Sequence, residues 1–355
     1  MLYVKVDDLK PGMRLGKPIY NRNGVLLYER DSKLNAQAIY GIKNFGLLGI
    51  YILEPAEPVP PMSEEDIRFE RFQTMAVFSI REDLDLIALG KKDKGLDWLC
   101  SLILKNYGQL EHKINFVQGL RSNEDYVYKH VLNVAILTAM IGGQMSLPIG
   151  RINMLVKSSI LHDIGALKVA GAMSGDDMTI EMKEAIRQGS QDILSRYKSL
   201  DMDVEKLISQ MQTMYCTEEN GFSDSVRNNV NANIIFVADA YDRMTAMKSH
   251  EEPTSEVRAL RQLLAREDIY DSKIVNALIR SINVLYPGVC VELSNGEKGL
   301  VIRGNEEDIF KPVVLSFHDN RVYDLTTTTE LEIKDVMKTM DNRIKIDPDM
   351  LREYM

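Results

Sequence analysis

The sequence predicts a mainly α protein, with a large helical region between a small N-terminal α/β module and a small C-terminal β module. From about 63 to 285, apolar residues recur at three- and four-residue spacing, as in Val127, Val131, Val134, Leu137 and Ile141. That is the period of helices burying one face. Near the two ends, Asn23-Gly24 and Asn295-Gly296 separate short β-type runs, the turn chemistry of tight hairpins. Between the first module and the helices, Glu54-Pro55-Ala56-Glu57-Pro58-Val59-Pro60-Pro61 forces an extended, semi-rigid connection.

Each element follows from local chemistry. In residues 1–53, Ile19-Tyr20 and Val25-Leu26-Leu27 flank the first Asn-Gly pair, Leu34 to Phe45 reads as a short helix, and Gly49 to Leu53 as a strand. Ser32 or Asn35 is available as the helix N-cap. Residues 54–65 are the linker and 66–285 the helical domain, closed by Pro287-Gly288. In 286–333, Cys290–Leu293 and Gly299–Ile302 flank Asn295-Gly296, and Val313–Phe317 and Val322–Leu325 flank Asp319-Asn320. The polar tail, 334–355, reads as a loosely packed helix.

Composition narrows the possible functions. A chain of 355 residues, 45% hydrophobic and 27% charged, has the balance of a soluble globular protein with two or three domains. The formal charge of −9 argues against a general DNA or RNA binder. Cys100, Cys216 and Cys290 are odd in number and widely spaced, so neither a disulfide framework nor a CxxC site is expected, and a cytoplasmic location is. Val131 to Gly150 carries no charge and is about as long as a bilayer span. Asn133, Gln144, Gly142-Gly143 and Pro148 interrupt it, so it reads as a buried core helix and its turn, with no membrane span.

The chemistry centres on His162-Asp163, set in the apolar run Leu155 to Gly165. His130, His162, Asp163 and Asp239 are candidate metal ligands, each within an apolar helical stretch. An ionised Asp239 inside Ile234-Ile235-Phe236-Val237-Ala238 is costly unless paired or coordinated. Two imidazoles and two carboxylates suit one divalent ion such as Mn, Fe, Mg or Zn. A structural alternative stands beside each: a satisfied core histidine at 130, an Asp239–Arg243 pair one turn apart, and a helix-bracing Asp242.

The order His … His-Asp … Asp resembles the HD superfamily of metal-dependent phosphohydrolases, and its surroundings resemble the HD-GYP branch, bacterial signalling enzymes that hydrolyse cyclic di-GMP. The resemblance rests on Asp125-Tyr126-Val127-Tyr128-Lys129-His130, Leu161-His162-Asp163-Ile164-Gly165 and Val237-Ala238-Asp239-Ala240-Tyr241-Asp242-Arg243-Met244-Thr245. It extends to Val6-Asp7-Asp8-Leu9-Lys10-Pro11-Gly12-Met13 and to the segment Leu285 to Gly299. It implies metal ligation by His130, His162, Asp163 and Asp239, and a catalytic role for Asp163.

Departures from the family are equally specific. Its lysine three residues after the HD aspartate is Ala166 here, and Lys168 is expected to point elsewhere round the helix. A further family histidine falls in Glu184-Ala185-Ile186-Arg187-Gln188-Gly189, which has none. The name-giving segment maps onto Tyr215 to Ser225, where Gly221 alone is kept and no histidine occurs. Glu218 and Glu219 read as solvated loop acids, Cys216 as a small buried hydrophobe and Arg187 as a surface ion-pair partner. Two readings follow. One is a degenerate, pseudoenzyme-like signalling protein that holds one metal, with impaired or absent cyclic di-GMP hydrolysis, acting through a cyclic dinucleotide or a protein partner. The other is an active mononuclear phosphohydrolase acting on a cyclic dinucleotide or another nucleotide. Oligomeric state is left open.

Overall fold

In the computed structural model, residues 2–21, 25–53, 63–116, 118–169, 178–217, 222, 228–248 and 252–337 are described. The Asn23-Gly24 turn, the proline-rich linker, Glu218 and Glu219, and the tail from 338 onward lie outside them. The protein is mainly α, as the periodicity predicts, with strands confined to the two ends.

At the N-terminus, strands β1 (Leu2–Lys5), β2 (Arg14–Leu15) and β5 (Gly49–Leu53) form an antiparallel sheet in the order β1-β5-β2. β3 (Ile19–Tyr20) pairs with β4 (Leu26–Tyr28). Helix α1 (Ala36–Asn44) starts at Asn35, whose side chain accepts from the Ala38 amide at 2.8 Å. Of the two cap residues the sequence offers, Asn35 does the capping. Val4, Leu15, Ile19, Leu34, Ile42 and Ile50 close a small core of their own.

The helical region comprises α2 (Glu64–Ala88), α3 (Leu96–Tyr107), α4 (Tyr126–Gln144), α5 (Ile149–Leu161), α6 (Ile180–Leu194), α7 (Met202–Thr217), α8 (Val230–Thr245), α9 (Glu256–Ala265) and α10 (Ser272–Ser281), with a 3₁₀ turn at Ile164–Lys168. α2 begins at Glu64, inside the stretch 54–65 expected as linker. Ser63 and Asp66 form a capping box, each side chain bonding the other's backbone amide at 3.1 Å, and this fixes the start.

α4 is the central element. It packs against α2, α3, α5, α8 and α10, so Val131 to Ile141 is buried on every side. This explains the uncharged run without a bilayer: a helix surrounded by helices has no polar face. No helix among the described residues is long and apolar enough to cross a membrane. After α4 the chain turns through Ser146, which has a left-handed φ of 53°, into α5.

C-terminal strands β6 (Cys290–Leu293), β7 (Lys298–Arg303), β8 (Val313–Ser316), β9 (Val322–Asp324) and β10 (Ile333–Val336) form an antiparallel sheet in the order β10-β6-β7-β8-β9. Gly296 and Asn320 take positive φ in the two expected turns. The tail expected from 334 begins later, because Asp335 and Val336 pair with Glu292 and Val291. A strand able to satisfy its backbone on a sheet edge does so, although its residues are polar.

Close packing beside the HD pair gives a stability prediction. A Cβ at Gly165 would lie 2.0 Å from the Ile186 carbonyl oxygen and 2.4 Å from the Ser190 amide, backbone atoms that cannot rotate away. Gly165→Ala is expected to cost at least the ~1–3 kcal/mol typical of overpacking, read as a lower midpoint in urea unfolding. An unchanged midpoint would show that α6 yields freely.

Candidate metal centre

α4, α5 and α8 bring the four sequence-predicted residues together. His130 lies in the second turn of α4, His162 and Asp163 follow the last turn of α5, and Asp239 is in the middle of α8. All four are buried, and one donor atom from each lies within 4.8 Å of the others. Asp239 Oδ1 is 2.8 Å from His130 Nε2 and 3.2 Å from His162 Nε2. Asp163 Oδ2 is 3.5 and 3.6 Å from the same two nitrogens.

The opposite ring nitrogens are held in place. His130 Nδ1 meets Asp242 Oδ2 at 2.7 Å, and His162 Nδ1 meets the Ser159 carbonyl oxygen at 2.6 Å. These contacts fit Nδ1–H donated outward, which in a neutral ring would turn the Nε2 lone pair into the cluster. Despite its short approach to Asp239, His130 Nε2 makes no hydrogen bond of acceptable geometry among the described residues. An orphaned buried nitrogen facing carboxylate oxygens fits a divalent cation.

Asp242 braces the site from behind. Its carboxylate accepts from Arg121 Nη2 at 2.7 Å, Asn133 Nδ2 at 2.8 Å and Gln118 Nε2 at 2.9 Å, besides His130. Asp242 comes three positions after Asp239, so the two share one face of α8. That spacing was a readable signal for an orienting carboxylate. The parts of Gln118 and Arg121, from the segment before α4, carry no such signal.

Arg243 was foreseen only as a partner of Asp239, yet it bridges both carboxylates. Its Nε is 2.8 Å from Asp239 Oδ2 and its Nη2 is 2.5 Å from Asp163 Oδ2. Tyr215, which opens the segment where the family histidines are missing, lies against this group. Its ring is 6.3 Å from that of His162, and the Arg243 guanidinium sits 5.6 Å from its centroid. The Tyr215 hydroxyl is buried with no hydrogen-bond partner among the described residues. Ala166 is buried, and Lys168 turns away to Asp192. Arg187 pairs with Glu184 at 2.5 Å, as expected. Cys216 differs from expectation: it is half-buried, 3.9 Å from Glu184.

Charges in the cluster sustain one another. Burial alone pushes Asp163 and Asp239 toward the neutral acid, but Arg243 and the two histidines hold both carboxyls well below the usual range. Burial and Arg243 push the His130 imidazolium down, yet Asp163, Asp239 and Asp242 around it outweigh them and raise its pKa to about 10.

Three comparisons bear on the class of protein. Residues 127–244 match the family model for the HD domain. A cyclic di-GMP phosphodiesterase of Pseudomonas aeruginosa, PA4108, is 19% identical over 209 residues, covering 57% of this chain and 50% of that protein. Cyclic di-GMP phosphodiesterase PdeB of Borreliella burgdorferi is 22% identical over 213 residues, covering 57% and 55%. Bd1817, an HDG"Y"P protein from Bdellovibrio bacteriovorus, aligns over 78% of this chain and 97% of its own at 13% identity, with a TM-score of 0.41. The central helical region therefore carries an HD domain, and its relatives support the HD-GYP resemblance. The chain spans about half the length of the curated relatives it matches.

A pH dependence follows for the metal-free protein. His130 binds its proton up to about pH 10 when folded but only to about 6.5 when unfolded. Its contribution is thus fully present below about pH 6.5 and declines as pH rises, by up to about 1.4 kcal/mol per unit. Lys17 acts oppositely, because burial lowers its pKa to about 8, so the clean window is pH 6.5–8. Urea unfolding in EDTA should show stability falling across that window; flat or rising stability contradicts a protonated His130.

Proposed function

We propose that this protein is a degenerate HD-GYP-type signalling protein whose centre holds one divalent cation and hydrolyses cyclic di-GMP poorly or not at all. His130, His162, Asp163 and Asp239 would hold the cation. A single observation carries the reading: Arg243 takes Asp239 Oδ2 and Asp163 Oδ2, while both Nε2 atoms gather on the other side of Asp239. A guanidinium on both carboxylates supplies the positive charge that a second metal would bring. Mn, Fe, Mg or Zn each suit this donor set.

When bound, such a cation supplies Lewis-acid polarisation of a phosphoryl oxygen. Asp242 keeps His130 in the tautomer that presents Nε2, and Ser159 does the same for His162. Arg243 keeps both carboxylates ionised and fixed in orientation. Ala166 offers no cation and Lys168 is engaged by Asp192, so neither would stabilise the leaving side. The cyclic di-GMP phosphodiesterases among the relatives support a cyclic dinucleotide as the ligand read by this protein, which passes the signal to a protein partner in the cytoplasm. The N-terminal core of its own supports treating 1–53 as a separate module.

Retention of all four ligand residues favours a second reading, an active mononuclear phosphohydrolase in which Asp163 is catalytic. Incubating the Mn-loaded protein with cyclic di-GMP decides between them. The proposal predicts no linear product above the metal-free control. Product that disappears in Asp163→Ala would establish the enzyme instead.

Arg243 gives a second test. Removing its charge should raise Mn²⁺ affinity at least about tenfold, since like charges at this range repel strongly in a buried site. The metal-free Arg243→Ala protein should also lose about 3–5 kcal/mol, the typical cost of breaking a buried ion pair. Titration calorimetry and urea unfolding read the two effects; unchanged Mn²⁺ affinity contradicts the role given to Arg243.

A further inference from the structure

On the far side of the Asp242 network from the metal centre lies a cavity of about 210 Å³. It is bordered by β3, the end of α1, α2, the segment before α4 and the first half of α4, and it is partly open to solvent. Its volume is room for about seven water molecules, below the roughly 300–1,000 Å³ of drug-sized sites, so it suits a small molecule. Phe45, Val77 and Leu132 give it an apolar wall.

Arg81 and Arg121 belong to its polar wall. Arg121 is fully buried, and its Nε and Nη1 have no hydrogen-bond partner among the described residues; the same holds for the buried Arg81 Nε. Lys17, also buried, donates to the Gln118 carbonyl oxygen at 2.5 Å. Glu70 faces Lys17 electrostatically, and Lys129 pairs with Asp125 at 2.7 Å. The neighbouring charges thus answer one another. Guanidinium N–H groups left over in a site with an apolar wall lack an acceptor, and the acceptor that matches a guanidinium best is a carboxylate.

Three residues of this wall also hold the metal centre. Gln118, Arg121 and Asn133 each donate to Asp242, which fixes His130. A ligand that draws on Arg121 competes with Asp242 for the same guanidinium and so shifts the orientation of His130.

We propose that the cavity is a regulatory site for a small organic carboxylate with an apolar or aromatic body, and that its occupancy alters divalent-cation affinity through Asp242 and His130. The binding site stands independently of the function proposed above; the coupling rests on it. Because coupling between two ligands is reciprocal, either can be used to detect the other.

Benzoate and phenylacetate are suitable probes, with neutral benzamide as the contrast, read by ligand-observed NMR on the full chain. Both carboxylates should bind saturably, and benzamide at least tenfold more weakly. Arg81→Gln should weaken benzoate binding about tenfold, and Thr74→Trp, which fills the cavity from α2, should abolish it. In saturating benzoate the Mn²⁺ dissociation constant of the wild-type protein should change about fivefold or more, with no change in Thr74→Trp, which excludes direct ligation of the ion by benzoate. Lack of saturable binding, equal binding of benzamide, or equal binding by a folded Thr74→Trp overturns the site. An unchanged Mn²⁺ constant in wild type overturns the coupling. If no Mn²⁺ binds at all, the metal reading has failed, while the NMR result still decides the site.

Discussion

Three carboxylates, Asp163, Asp239 and Asp242, are buried around His130, and the charged side chains of the helical domain that meet them neutralise them. Unpaired, each would cost several kcal/mol or take up a proton. Arg121 meets Asp242, Arg243 meets Asp163 and Asp239, and His130 lies between all three. With His130 protonated, Arg121, Arg243 and His130 set three positive charges against the three carboxylates. A divalent cation that displaces the His130 proton adds one net charge, and the buried site tolerates it because the carboxylates surround it.

Arg243 gives this HD domain its particular character. A guanidinium cannot be deprotonated at physiological pH, so it is a fixed cation where a bound ion would be exchangeable. It fixes the geometry of the carboxylates and also reduces the negative potential that would draw metal in. On the proposed reading, the absence of histidine from 184–189 and 215–225 and the presence of Arg243 on both carboxylates would be one change, fewer nitrogen ligands beside a built-in positive charge. Tyr215, with its ring beside His162 and Arg243, fills space at the point where that family segment starts.

Much of this was legible in the sequence, for physical reasons that differ from residue to residue. His162-Asp163 and Asp239 stood out because charge in an apolar helix needs a partner. Asn35 and the Asn295-Gly296 turn could be read because capping and positive φ select few residue types. The helical pattern from about 63 agrees with α2 starting at Glu64, where the Ser63–Asp66 capping box sets the exact first residue. β10 was missed because edge strands can be polar on their open side, so Asp335 gives no periodic signal. The bridge from Arg243 to Asp163 spans 80 positions in sequence, and no local pattern reports a contact of that range. Gln118, Arg121 and Asn133 were invisible for the same reason: only the packing of α4 and the segment before it against α8 brings them to Asp242.

A crystal structure of the Mn-loaded protein, with anomalous data collected at the manganese edge, tests the central claim most directly. One anomalous peak per chain, between His130 Nε2, His162 Nε2 and the Asp163 and Asp239 carboxylates, with Arg243 still on the outer oxygens, is the predicted result. Two peaks in the cluster, with Arg243 displaced into solvent, would contradict it, as would an ion-free cluster at saturating manganese.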